Sequence, residues 1–462
     1  MAKRPSSFIA PLILLAVLVG IPLGVIAYQA HRTGVSMGQF VQRIISRSGH
    51  GEGRLGVEQA TAPRGAPADF LEPSPIGLPV QGEDRPRIAA LTTVDLDRDG
   101  RLDVLVCDAA ADQVTWIRRN EAGEFVEAAL GESVVSPAHA EACDIDQDGD
   151  LDVLVAVMGM LFPNNDRIGS VVILENDGRQ HFTNRVLIDH VARVTDVQAG
   201  DLDGDGDLDL AVGQFGYDDG EIRWMENQGN WQFESHMLLS LSGTIHTPIV
   251  DVDGDQDLDI VALVSQEWEE IYVFENDGKA GFSTRLIYGS NNEDFGSSGI
   301  AIVDLDRDGD PDILHTNGDA FDYLPPRPRP WHGVQWHENK GGLKFEFHRI
   351  ANCPGAYSAV AVDIDHDQDL DVFVVSAFNE WEKADALSLI WYENDGRMQF
   401  TERPVGTTPT HLLALAAGDL DGDGRTDFVT GGMHICPPYD RLGRVTLWRN
   451  NRVLRQQKAA SR

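Results

Sequence analysis

The chain has 462 residues, a formal net charge of −37 and 42% hydrophobic residues. That balance excludes nucleic acid as a partner, because such binding needs a basic footprint. A length of 462 would ordinarily give two or three domains unless a repeat consumes it.

At the N-terminus, Lys3 and Arg4 precede an uncharged stretch over residues 8–27. As a helix rising 1.5 Å per residue it would be about 30 Å long, enough to span a bilayer. A cleavable signal has a shorter apolar core and a small-x-small site, which Tyr28-Gln29-Ala30 does not supply. Residues 1–32 are therefore expected to be an uncleaved signal anchor, with secretion after cleavage as the alternative. Residues 33–69, with Gly49, Gly51, Gly53, Gly56 and Pro63, read as a juxtamembrane linker, and 37–47 as a short amphipathic helix. Gly51-x-Gly53-x-x-Gly56 matches a dinucleotide fingerprint on paper, but no strand precedes it and no βαβ unit follows.

From residue 95 the chain repeats. Seven Asp-x-Asp-x-Asp loops, each followed four residues later by another Asp, recur 49 to 59 residues apart. They comprise Asp95, Asp97, Asp99 and Asp103; Asp144, Asp146, Asp148 and Asp152; Asp201, Asp203, Asp205 and Asp209; and Asp251, Asp253, Asp255 and Asp259. Further on come Asp304, Asp306, Asp308 and Asp312; Asp363, Asp365, Asp367 and Asp371; and Asp419, Asp421, Asp423 and Asp427. Alternate residues of a tight loop point carboxylates at a common centre, and Ca²⁺ takes six to eight oxygens. Up to seven calcium ions are expected, with a backbone carbonyl such as that of Asp207 as a further ligand. Five loops carry glycine at the sixth position (Gly100, Gly149, Gly206, Gly309, Gly424), where a positive φ reverses the chain. Gln256 and Gln368 stand there in the other two, so the fourth and sixth sites are expected to bind weakest.

A short apolar strand follows each loop, as in Val104-Leu105-Val106 and Leu210-Ala211-Val212. Then comes an aromatic strand ending in Asn, a turn with Gly, and a Phe: Trp224, Asn227, Gly229 and Phe233, or Tyr272, Asn276, Gly278 and Phe282. Asn and Gly are read here as hairpin-turn formers. Four strands per unit and seven units define an all-β, seven-bladed β-propeller over residues 70–450, with 451–462 as a tail. The seventh unit reaches Trp448 and Asn450 without a following Phe strand, whereas Ala68-Asp69-Phe70-Leu71 supplies a spare one. That segment is expected to close the ring.

These loops, with the Asn-Asp-Gly-x-x-x-Phe hairpin, resemble FG-GAP/VCBS repeats, the blades of integrin-α-like propellers. The resemblance covers roughly residues 70–450 and implies calcium bound in hairpin loops between blade strands. The chain departs from integrin α subunits in lacking the literal Phe-Gly and Gly-Ala-Pro cores and in carrying a metal loop in every blade. In this it is closer to bacterial VCBS proteins, and no integrin ligand is carried over.

The loops hold 28 carboxylates, leaving about −9 elsewhere, so the acidity is site chemistry rather than an acidic patch. Such calcium loops place the propeller outside the cytoplasm, in the periplasm or beyond the cell. Of Cys107, Cys143, Cys353 and Cys436, a Cys353–Cys436 bridge is the pairing the blade topology favours, and His434-x-Cys436 could be half a metal site. The longest loops fall on the face opposite the aspartates: residues 162–167, 215–219, 266–268, 378–381, 434–439 and the insertion 319–332, with Phe321, Tyr323, Arg327, Arg329 and Trp331. They suit an unknown protein or glycan ligand. His315, His332, His337 and His411 are scattered, and no nucleophile elbow, His-Glu-x-x-His or phosphate loop occurs. A membrane-anchored, calcium-stabilised binding or adhesion module is the leading expectation. The alternative is an extracytoplasmic polysaccharide lyase or hydrolase with a His-Tyr-Arg pocket near 319–332.

Overall fold

The computed structural model describes residues 61–452, apart from 163, 267, 268, 291 and 293. The expected anchor, the expected helix over 37–47, the Gly51–Gly56 motif and most of the tail lie outside the described residues. Among those described there is no helix, hence none long and apolar enough to cross a membrane.

Seven antiparallel sheets make seven blades: five are four-strand meanders, the fourth has its innermost strand in two pieces, and the seventh takes its outermost strand from the N-terminal side. The innermost strands are Ile88–Val94, Pro137–Cys143, Val194–Gly200, Thr244–His246 with Ile249–Val250, Ser297–Val303, Ala356–Val362 and Leu412–Gly418. Each touches the next and the last touches the first, so the ring is closed. The fourth is split at Thr247-Pro248, where proline lacks the N–H the ladder needs.

Every second strand begins at the ninth loop residue: Asp103–Asp108, Asp152–Val157, Asp209–Gln214, Asp259–Val264, Asp312–Asn317, Asp371–Ser376 and Asp427–Gly432. All are buried along their whole length, because neighbouring blades cover both faces. That explains the unbroken apolar runs: each buried Val, Leu or Ile contributes about 1.5–3 kcal/mol, and alternation would leave one blade face polar.

Closure comes from the N-terminal side. The strand Leu71–Pro75 pairs with Val445–Asn450 as the outermost strand of the seventh blade. It runs a little later than the 68–71 segment picked from the sequence, and the register shows why. Leu71 lies opposite Asn450, the place that Phe182, Phe233, Phe345 and Phe400 take opposite Asn176, Asn227, Asn339 and Asn394. Phe70 instead packs edge-on against Trp391 of the sixth blade, 5.7 Å between ring centres. Pro73 and Pro75 are tolerated because an outermost strand has a free edge.

Candidate functional site

In a meander, the first and third connections share one end of the blade, so each aspartate loop lies beside its hairpin. Asn227 Nδ2 donates to the Leu208 carbonyl at 3.1 Å, and Asn276 Nδ2 reaches Leu258 at 2.9 Å and Leu202 of the preceding blade at 2.7 Å. These asparagines do not take the positive φ a turn reading implies; the glycines after them do, at 74° for Gly229 and 71° for Gly278. Asn is the side-chain clamp between loop and hairpin, a role that turn statistics hid.

Within a loop the carboxylates are held by backbone amides. In the third, Gly204 and Gly206 N–H donate to the two oxygens of Asp201 at 2.8 and 3.1 Å, and Asp205 N–H donates to Asp203 at 3.0 Å. Two residues per loop adopt positive φ. The sixth does so as expected, including Gln256 and Gln368, both at 80°. The fourth does so as well, through Arg98, Gln147, Gly204, Gly254, Arg307, His366 and Gly422. Only three of these are glycine, so residue type concealed the second reversal.

The ninth aspartate is different. All seven are at most 3% exposed. Asp209 Oδ2 accepts from Leu202 N–H at 3.0 Å and Oδ1 from Asn227 N–H at 2.8 Å. The bond to the hairpin Asn recurs at 2.8 Å in six blades. Burial, with the neighbouring loop carboxylates adding to it, pushes these groups up: to about 6 for Asp209, Asp259 and Asp427, about 7 for Asp103, Asp152 and Asp312, and about 8 for Asp371.

The loop residues fit a hard cation. One oxygen from each of Asp95, Asp97 and Asp99 lies within 4.8 Å of the others, as do those of Asp144, Asp146 and Asp148, and of Asp201, Asp203 and Asp209. Buried oxygens of Asp97, Asp304, Asp363, Asp365 and Asp421 have no hydrogen-bond partner, a costly condition that an ion would relieve. The loops are not equivalent, however. Arg101 and Arg425 stand where five loops have Asp at the seventh position, and each pairs with a loop carboxylate, Asp99 and Asp423. Arg449 adds a contact to Asp421 at 2.9 Å, and Arg452 one to Asp365 at 3.3 Å. Loops one, six and seven thus carry built-in counter-charges that the Asp pattern alone does not reveal.

The opposite face divides the aromatic residues singled out above. Phe162 and Tyr217 are 48% and 45% exposed, and Tyr439 38%. Phe378 and Trp381 are buried, with Phe378 packing against Phe321 and Tyr357. In the 319–332 insertion Arg329 lies 3.5 Å above the Tyr323 ring, and Trp331 Nε1 donates to Asp294 at 2.7 Å. Glu267, Trp268 and Pro163 lie outside the described residues. A cavity of about 240 Å³ is lined by Arg167, Gln214, Asp219 and Arg223 between blades two and three, and one of about 550 Å³ by Trp381, Lys383, Pro437 and Arg441 between blades six and seven. Residues 319–332 line neither.

His315, His332, His337 and His411 are all buried. His315 Nδ1 lies 3.2 Å from His337 Nε2, and burial lowers both imidazoles, His337 to about 3. The expected Cys353–Cys436 bridge is absent, and all four thiols are free. Cys353 is buried in the core of the fifth and sixth blades, hydrogen-bonded to Tyr392, while Cys436 faces His411. Sharing a face of the ring did not bring the two sulfurs together.

Closed ring, repeated loop and hairpin clamp together define a β-propeller built from one repeated aspartate-loop unit, a general binding and scaffold architecture. The FG-GAP-like repeat family matches residues 95–155, 157–212, 251–315 and 363–430, and the FG-GAP repeat matches 413–448. The chain belongs to the FG-GAP-like repeat family. No curated protein matches it. Among solved structures it is similar to BBS1N in complex with ARL6DN, in a mercury-soaked crystal (11% identity, 83% of this chain and 96% of that one, TM-score 0.48). A lead-soaked crystal of the same complex gives 11% identity, 84% and 98% coverage and a TM-score of 0.49.

Proposed function

We propose that this protein is a calcium-stabilised propeller that binds a protein or glycan ligand through the face opposite its aspartate loops. The N-terminal segment would hold it to a membrane with the propeller outside the cytoplasm. One observation carries the reading of the face. Among the described residues eleven large hydrophobic side chains are exposed, and eight (Leu78, Val135, Met160, Phe162, Ile168, Tyr217, Leu324 and Tyr439) lie in connections of that face. Val126, Val186 and Met237 are on outermost strands, and none is in an aspartate loop or its hairpin. Apolar groups gathered on one end of a rigid ring, with charged neighbours, are what a recognition surface needs.

Calcium would act at the other end. Two carboxylates about 5 Å apart repel by roughly 3 kcal/mol at an effective dielectric near 20, so filled loops brace each blade and keep the far face in one shape. The enzyme alternative gains no support from the 319–332 insertion, where Arg329 and Trp331 are engaged in packing. The test is a glycan and protein binding screen of the full chain, with calcium and with chelator. Binding that needs calcium and falls at least tenfold in Phe162→Ala with Tyr217→Ala supports the reading. Binding untouched by those changes, or none to any ligand, overturns it.

A further inference from the structure

The sequence leaves His434-x-Cys436 as half of a possible metal site, and the fold brings a second histidine onto it. We propose that Cys436, His411 and His434 form a site for a thiophilic divalent metal ion of the zinc class, between blades six and seven on the face opposite the aspartate loops.

His411 comes from the link between the sixth blade's outermost strand, Phe400–Gly406, and the seventh's innermost, Leu412–Gly418. Its Nε2 lies 3.4 Å from Cys436 Sγ. Two ligands of one tetrahedral zinc ion, at about 2.3 Å for sulfur and 2.0–2.1 Å for nitrogen, stand about 3.5 Å apart. The His411 and His434 ring centres are 5.6 Å apart at 68°, while two imidazoles on one such ion would lie about 5 Å apart. The sulfur–nitrogen pair therefore already stands at the spacing one ion requires, and the two rings would need to close by roughly half an ångström.

Each imidazole is already held by one nitrogen. His411 Nδ1 is 3.0 Å from Thr410 Oγ1 and the ring also meets the Pro437 backbone, while Nε2 faces Cys436 Sγ and would be the ligand atom. His434 Nε2 rests on the Gly443 backbone, 3.0 Å from its carbonyl and 3.1 Å from its nitrogen. Its Nδ1 has no partner at all, although His434 is only 1% exposed. A nitrogen so placed costs free energy in the empty protein. With Nε2–H donating to the Gly443 carbonyl, Nδ1 carries the free lone pair, the outer-shell pattern of metal-bound histidine.

The donor set differs in kind from the loops. One thiolate and two imidazoles select zinc-like ions, whereas all-oxygen cradles select calcium. The Trp381 ring lies 5.2 Å from that of His411 and, with Pro437 beside Cys436, lines the cavity of about 550 Å³, so a fourth coordination position on that side would adjoin it. That position would take water or an oxygen of a ligand bound on this face.

Cobalt separates this site from the loops, because only a thiolate gives a sulfur-to-cobalt charge-transfer band. Full-length protein saturated with calcium is titrated with Co²⁺. The expected result is that band saturating at one equivalent, bleached by Zn²⁺, absent in Cys436→Ser and weakened about tenfold or more in affinity in His434→Gln. A missing band, or one surviving in Cys436→Ser, overturns the proposal. Should the variants not fold, alkylation of the unaltered protein read by mass spectrometry decides. Zn²⁺ but not Ca²⁺ must protect Cys436, and equal labelling with either ion overturns the proposal.

Discussion

Asp209 accepts a hydrogen bond from the backbone of Asn227 at 2.8 Å, tying the end of an aspartate loop to the start of a hairpin 18 residues on. Its other oxygen holds the loop's second residue, Leu202, at 3.0 Å. The ninth aspartate is thus a structural clip as well as a candidate ligand, and the two roles separate experimentally. Asp209→Asn sets an amide donor against a backbone donor and should cost about 1–3 kcal/mol with or without calcium. Asp203→Asn should cost stability only when calcium is present. Chemical denaturation of both variants in calcium and in chelator checks this, and equal calcium dependence would contradict it.

Removal of calcium should lower the melting temperature by roughly 10 °C or more. A site occupied at a hundred times its dissociation constant adds about 2.7 kcal/mol, and the chain has seven such loops. Calorimetry in calcium and in chelator measures the shift, and superimposable melts would count against structural calcium.

The fourth and sixth loops hold Gln256 and Gln368 at a φ of 80°, a conformation that costs a side-chain-bearing residue roughly 1–2 kcal/mol. At the glycines of the same position in the other loops, an added Cβ would meet no atom within 4 Å, so backbone strain alone separates the two classes. Gln256→Gly and Gln368→Gly should each recover about 1 kcal/mol and strengthen metal binding. Isothermal titration of the variants gives the answer; weaker binding would show the glutamines to be useful ligands.

Leu71 fills the register position of the blade phenylalanines and is 5% exposed. Leu71→Ala should cost about 2–5 kcal/mol and loosen the ring where its ends meet. Hydrogen exchange should then rise first in Val445–Asn450, and uniform exchange around the ring would refute the closure role.

The innermost strands of blades two and three share an ion pair, His139 Nδ1 to Asp196 Oδ1 at 2.9 Å, with His246 3.9 Å from the same carboxylate. Burial pushes Asp196 up, but His139 outweighs it and holds the group down to about 2. Burial lowers His139, and Asp196 outweighs that in turn and raises it. A depressed carboxyl gives stability that is present above its unfolded value of 3.8 and lost as pH falls toward 2. A raised imidazole gives stability that is present below 6.5 and lost as pH rises through its folded value. The pair should contribute most between about pH 4 and 6.5. Asp196→Asn should flatten the melting temperature over that window, and an unchanged pH profile would show the pair to be neutral.

The architecture was legible in the sequence because a repeat states its own period and its chemistry seven times over. Alternating aspartates with a glycine announce the loop, and an apolar run after each announces a strand covered on both sides. Phe70 stands out in the closing segment because nothing in the residue type of Leu71 marks the register, and the arginines at loops one, six and seven are invisible to a pattern made of acids. Tertiary structure alone decided which side chains meet across blades. Cys353 and Cys436 share a face yet stay apart, whereas His139 and Asp196 meet across blades two and three. Spacing along a chain encodes contacts within one blade, but contacts between blades depend on how twisted sheets pack around an axis, and no local pattern carries that.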